Sequence, residues 1–262
     1  MTTTKHRIET FGPQHLAGAL RLSQQAGWPH RAEDWALTLS VSDGVVALDG
    51  EVVVGTALCS CFGDVATLSM IIVDASMRGR GLGRELMAAV MDRAGPRAMR
   101  LVATTDGLPL YEKLGFVATG TIAQHQGIAL TATPEQAVTE GEPDPALDLA
   151  ASGMDRTNLL ARMGGVGLRT TGGFTVLRDF GRGRLVGPIV ASNDASARAL
   201  LAEAARRCAG GFLRVDLARG LSDFAASLGL AHVGGGIAMT RGARPAVPSD
   251  FKTYALVSQA LG

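Results

Sequence analysis

Between Ser76 and Leu86 the chain reads SMRGRGLGREL, with Gly79, Gly81 and Gly83 interleaved with Arg78, Arg80 and Arg84. Glycine lets a backbone take positive φ and approach a ligand closely, and arginine suits phosphate. At the start of a helix, where free N–H groups gather, such a loop is suited to cradling a phosphate. A second residue with useful chemistry is His125, in QHQG. Its ordinary pKa near neutrality suits a general base, and the alternative is a hydrogen-bonded structural histidine near a strand end.

The segments around the loop read as mixed α/β. HRIETFG is a strand, Pro13 to Ala26 a helix, and Glu33 to Leu39 a second helix after GWPHRAEDW. GVVALDGEVVVGTALCSCFG is a hairpin turning at Asp49-Gly50, a favoured tight-turn pair. DVATLSMIIVD carries apolar residues on both faces, as a central strand does. Leu82, Leu86, Ala89 and Val90 then form one helical stripe. RAMRLVAT is a strand, LPLYEKL a short helix and GFVATGTIAQ another strand.

Residues 131–146 contain three prolines and four acidic residues but no Lys or Arg, which suits a solvated linker. The predicted domains are therefore 1–130 and 147–262, joined by that linker. In the second half GFTVLRDF and RLVGPIVA read as strands, Ala195 to Cys208 as a helix, GFLRVDLA as a strand and LSDFAASL as a helix. An offset of 114 superposes the halves, laying Gly120 on Gly234 and Leu86 on Leu200.

Composition sets outer bounds. Of 262 residues, 47% are hydrophobic, and 25 basic side chains face 24 acidic ones for a net charge of +1. That balance argues against a general nucleic-acid or membrane-surface binder, so phosphate affinity should be local. The N-terminus lacks a signal-peptide core and no apolar run reaches membrane-spanning length. Cys59, Cys61 and Cys208 have neither metal-site spacing nor an even disulfide count. They are expected to be buried thiols of a cytoplasmic protein, with no metal.

Three loop types compete for SMRGRGLGREL. A P-loop needs Gly-Lys-Ser/Thr, which does not follow Gly83. A dinucleotide fingerprint G-x-G-x-x-G starting at Gly79 would put its third glycine at Arg84, where a side chain crowds the helix–strand contact. The third pattern, Arg/Gln-x-x-Gly-x-Gly/Ala, is met by Arg78, Gly81 and Gly83. With SMIIVD before it and PLYEKLGF after it, residues 8–127 resemble the GNAT superfamily of N-acetyltransferases, which bind acetyl-CoA. The second half resembles the degenerate second module of tandem members.

The resemblance implies two tandem GNAT-like modules, each a twisted mixed β-sheet flanked by helices. It implies that residues 78–84, including Leu82, hold the CoA pyrophosphate. Backbone groups on the strand Ile71, Ile72 and Val73 would hold the pantetheine arm, with Thr104 where many members have Asn. Tyr111 would protonate, or hydrogen-bond, the departing thiolate. Trp28, His30 and Arg31 lie between the first two helices, where members bind acceptors; packing and a solvated loop are the alternatives. Some members carry a glutamate base where Thr67 stands, so the amine's proton must leave through water or another side chain such as His125, or the amine must arrive neutral.

At the offset of 114, Arg78, Gly81, Gly83 and Tyr111 fall on Ser192, Ala195, Ala197 and Ala225. Pro188 also removes a donor from the corresponding strand. The second half is thus expected not to bind CoA. The implied protein is a monomer or homodimer acting on a small-molecule amine rather than a protein. A non-catalytic acyl-CoA sensor and a Rossmann-type binder remain as alternatives.

Overall fold

A computed structural model describes residues 6–242 and 248–262. The first half runs β1 (Arg7–Thr10), α1 (Leu16–Gln25), α2 (Ala32–Ser40), β2 (Asp43–Asp49), β3 (Val52–Phe62), β4 (Val65–Val73), α3 (Leu82–Ala94), β5 (Ala98–Ala103), α4 (Leu108–Lys113) and β6 (Val117–Ile128). The second runs β7 (Thr139–Glu140), α5 (Pro145–Ser152), α6 (Thr157–Arg162), β8 (Val166–Thr170), β9 (Gly173–Phe180), β10 (Gly183–Ala191), α7 (Asp194–Arg207), β11 (Phe212–Leu217), α8 (Ser222–Ser227), β12 (Ala231–Arg241) and β13 (Lys252–Ala255).

All the expected strands and helices form, with local differences. The β2–β3 turn sits one residue later than expected, at Gly50-Glu51, because Asp49 pairs with Val52. Gly50 takes φ +59°, the sign a type II′ turn requires of its first central residue. Residues 131–146 are not bare coil. Thr139–Glu140 pairs with β8, and Asp144 caps α5 by accepting from the Ala146 and Leu147 N–H groups. On α3, Met87 is buried with Leu82, Leu86 and Val90, while Ala89 lies at the edge of the stripe.

The strands join into one sheet, ordered β1-β2-β3-β4-β5-β12-β6-β11-β13-β10-β9-β8-β7. Each half lends a strand to the other. β12 lies between β5 and β6, and β6 lies between β12 and β11, all antiparallel. One apolar core is shared by the halves, joining Trp35, Leu58 and Met70 to Met154, Leu160 and Phe174. A second packs under α3 and a third under α7. Burial of this extent favours a fixed arrangement of the halves.

The expectation that all three cysteines are buried fails at Cys61. Cys59 and Cys208 are buried, but Cys61 is exposed next to the exposed turn at Gly63-Asp64. No described helix is long and apolar enough to cross a membrane.

Candidate active site

β4 and β5 run parallel and pair only from Val65–Thr67 with Ala98–Arg100. Beyond Thr67 they separate. The cause lies partly in β4 itself: Leu58 pairs with Ser69 and Thr56 with Ile72, so Ala57 alone faces Met70 and Ile71. That is a β-bulge, which bends and twists its strand. Met70 takes φ +52°, and the Thr56 hydroxyl donates to its carbonyl at 2.7 Å, fixing the kink. The β5-facing backbone edge of Ile71–Val73 is left without a described strand partner.

The fork opens a cleft of about 810 Å³, walled by Ile71, Ile72, Val73, Gly81 and Gly83 on one side and by Thr104 and Tyr111 on the other. At its end stands the N-terminus of α3. Gly81, at φ +87°, is its N-cap and has no side chain to offer, so no side-chain cap closes this terminus. Free N–H groups and the helix dipole there favour an anion. Arg78, Gly79 and Leu82 also wall the cleft, and Arg78 lies 3.8 Å from Asp106 across its mouth. Arg80 and Arg84 are exposed and lie outside the wall.

Gly83 is helical, and an added Cβ would meet nothing closer than Leu110 at 3.4 Å. Packing within the chain therefore leaves room for a methyl group there. Gly107 is different, because a Cβ would sit 2.7 Å from the Tyr111 ring. That close approach seats Tyr111, which is 6% exposed and packs edge-on against Phe116. Burial pushes the Tyr111 phenol up to about 12, so it is a proton donor at neutral pH. No described residue hydrogen-bonds its hydroxyl.

Trp28, Ile71, Thr104 and Tyr111 also border a second cavity of about 210 Å³. This one is built by both halves: Pro29, His30 and Ser69 come from the first, and Phe180, Arg214 and Gln259 from the second. Ser69 Oγ and His30 Nδ1 are buried without a described hydrogen-bond partner. Arg178 and Arg214 stack over the Phe180 ring at 5.1 and 5.3 Å. Burial pushes His30 down to about 4, against the pull of Asp34 and helped by Arg214 and Arg178. Burial alone would raise the Asp34 carboxyl, but hydrogen bonds from Arg31 and the Gly181 N–H hold it below its ordinary value.

Trp28 and His30 therefore reach the cavity. Arg31 does not; its Nε, Nη2 and backbone N–H all donate to Asp34, closing the start of α2. His125 is also elsewhere. Its ring is 2% exposed, its Nδ1 lies 2.9 Å from the Leu230 carbonyl oxygen, and it sits 5.3 Å from His232 on β12. Thr67 is buried and its hydroxyl faces Met154 Sδ at 3.8 Å, so Ser69 is the β4 hydroxyl in the cavity. Among the described residues no carboxylate lines this cavity.

The second-half residues of the cavity had one readable sign. Arg214 and Asp216 share a face of the apolar strand GFLRVDLA, a spacing that suggests a buried pair. Only strand exchange brings that face to Tyr111.

A family model described as an acetyltransferase (GNAT) domain matches residues 41–118, and a second model of the same description matches 145–255. The chain belongs to the GNAT superfamily of N-acetyltransferases. It carries two GNAT modules in tandem. An uncharacterized N-acetyltransferase of Bacillus subtilis, YitH, is 35% identical over 167 residues, a match covering 57% of each chain. The matched stretch is thus little more than half that relative's length. A candidate acetyltransferase of Pyrococcus horikoshii has the same fold across 100% of this chain and 98% of its own, with a TM-score of 0.84 at 20% identity. A GCN5-related N-acetyltransferase of Sphaerobacter thermophilus superposes with a TM-score of 0.65 at 16% identity, over 94% of this chain and 98% of its own.

Proposed function

We propose that the protein transfers an acetyl group from acetyl-CoA directly to a primary amine, using the cleft between β4 and β5. The observation that carries this reading is the open β4 edge ending at an uncapped helix N-terminus, with Tyr111 where the two cavities meet. Backbone groups of Ile71 and Val73 pair with the pantetheine arm as an added strand would. The N–H groups at the start of α3, with Arg78 nearby, receive the pyrophosphate. Gly83 fits this role, since the chain's own packing does not require a glycine there.

The amine enters from the 210 Å³ side and attacks the thioester carbonyl. As the C–S bond breaks, Tyr111 gives its proton to the departing thiolate and is reprotonated from solvent. The amine's proton leaves to water, since His125 lies outside the cavity wall and no described carboxylate lines it. The second module does not bind CoA.

Thermal unfolding with acetyl-CoA tests the reading. A ligand that binds only the folded state at a hundredfold excess over Kd adds about 2.7 kcal/mol. An unaltered melting temperature at millimolar acetyl-CoA would remove the assignment.

A further inference from the structure

The smaller cavity has a chemical bias of its own. Its far wall is built around Arg214, which is 6% exposed. Arg214 donates from Nε and Nη2 to Asp216, whose carboxylate also accepts from Gln259. Nη1 is the guanidinium nitrogen with no acceptor among the described residues. Asp34, which acts on His30 of the same cavity, is shared by Arg31 and by Arg178 at 4.0 Å. Three guanidinium groups, Arg31, Arg178 and Arg214, thus stand with the carboxylates of Asp34 and Asp216, and Glu33 and Asp179 also act on the outer Arg31, so the group carries no positive surplus. His30, on the same wall, adds none near neutral pH because burial keeps it uncharged. Arg214 is paired with Asp216 but keeps Nη1 for a further acceptor, and a donor left without one in a buried wall is unfavourable, so the wall favours a ligand that brings an acceptor oxygen there.

Resting on the transferase reading above, we infer that the acceptor is a small amine carrying a carboxylate, of amino-acid type. The carboxylate would lie against Arg214 Nη1, and the amine would lie toward Ser69 and Tyr111. Ser69 Oγ, buried and without a described partner, is placed to bond the polar end of such a ligand. A volume of 210 Å³ is roughly seven times a water molecule's share of liquid volume. That suits a ligand the size of a free amino acid.

The test is equilibrium binding by the intact protein, with and without saturating CoA. The probes are the standard amino acids, each against its carboxamide and its decarboxylated amine. A charge-assisted hydrogen bond to the carboxylate should make at least one acid bind about tenfold to a hundredfold more tightly than its amide. No acid binding better than its amide overturns the inference. Arg214→Gln should reduce that ratio to near one by weakening the acid far more than the amide; an unchanged ratio in a folded variant also overturns it. If the variant does not fold, the ratio in the wild-type protein decides. Failure of CoA itself to bind would remove the transferase reading, while the acid-to-amide ratio would still be scored without it.

Discussion

In the first module β4 and β5 separate after Thr67 and Arg100, and no described strand fills the gap. In the second, β10 and β11 pair only at Arg184–Leu213 and Leu185–Arg214, and then β13 lies between them. Ile189 pairs with Ala255 and Ala191 with Lys252 on one side, and Leu217 with Ala255 on the other. The helix termini differ in the same sense. Gly81 leaves the start of α3 open, whereas Asn193 accepts from the Ser196 N–H and caps α7. A fork in a parallel sheet exposes backbone groups that need partners. The second module meets that need with its own chain; the first leaves the edge open.

The chain's two tyrosines stand on opposite sides of this comparison. Tyr111 borders the open cleft and Tyr254 belongs to the inserted strand. Tyr111→Phe tests the first side and carries the largest expected effect. Thiol release should fall about 10²–10⁴-fold, as for a lost general acid, while the thermal shift with acetyl-CoA persists. Wild-type turnover would leave the tyrosine as packing.

Stoichiometry comes next. Calorimetry should find one CoA per chain, and two equivalent sites would erase the distinction between the modules. Gly81→Glu places a side chain at φ +87° and a negative charge at the helix start, where anions are favoured. It should remove the shift of about 2.7 kcal/mol expected at a hundredfold excess of ligand. A retained shift would separate the loop from the ligand.

Much of the first module was legible because its signals are local. The interleaved glycines, the alternation in DVATLSMIIVD and the stripe on α3 each follow from neighbouring residues. The repeat was legible only in part. The offset of 114 holds for β5 with β11, α4 with α8 and β6 with β12. The bulges instead correspond at Ser69 and Val186, an offset of 117, and the helices begin at Leu82 and Asp194, an offset of 112. The stretch 74–81 thus has only Ser192-Asn193 as its counterpart. Laying Arg78 on Ser192 described a substitution where the loop is shortened. Strand exchange and the insertion of β13 were not legible, because pairing between distant strands leaves no local periodicity. The same blindness hid the place of Arg214 and Gln259 in the cavity beside Tyr111.

The smallest expected effect concerns the inserted strand. Tyr254 is 4% exposed and donates to Asp194 Oδ1 at 2.6 Å, tying β13 to the start of α7. Tyr254→Phe keeps the ring and loses that bond, which should cost about 1 kcal/mol at neutral pH. Burial and the Asp194 carboxylate push this phenol up to about 12. An acid with a raised folded pKa is ionised first in the unfolded chain, so its contribution is present below pH 10 and is lost as pH rises from 10 to 12. That loss runs at up to about 1.4 kcal/mol per pH unit. Denaturant titrations at several pH values should show a shallower decline in the variant than in the wild type. The backbone pairs of β13 remain in Tyr254→Phe, so the second fork should stay filled and the stoichiometry should stay at one. A second CoA bound by this variant would mean that a single hydroxyl, rather than the paired strand, keeps the second cleft closed.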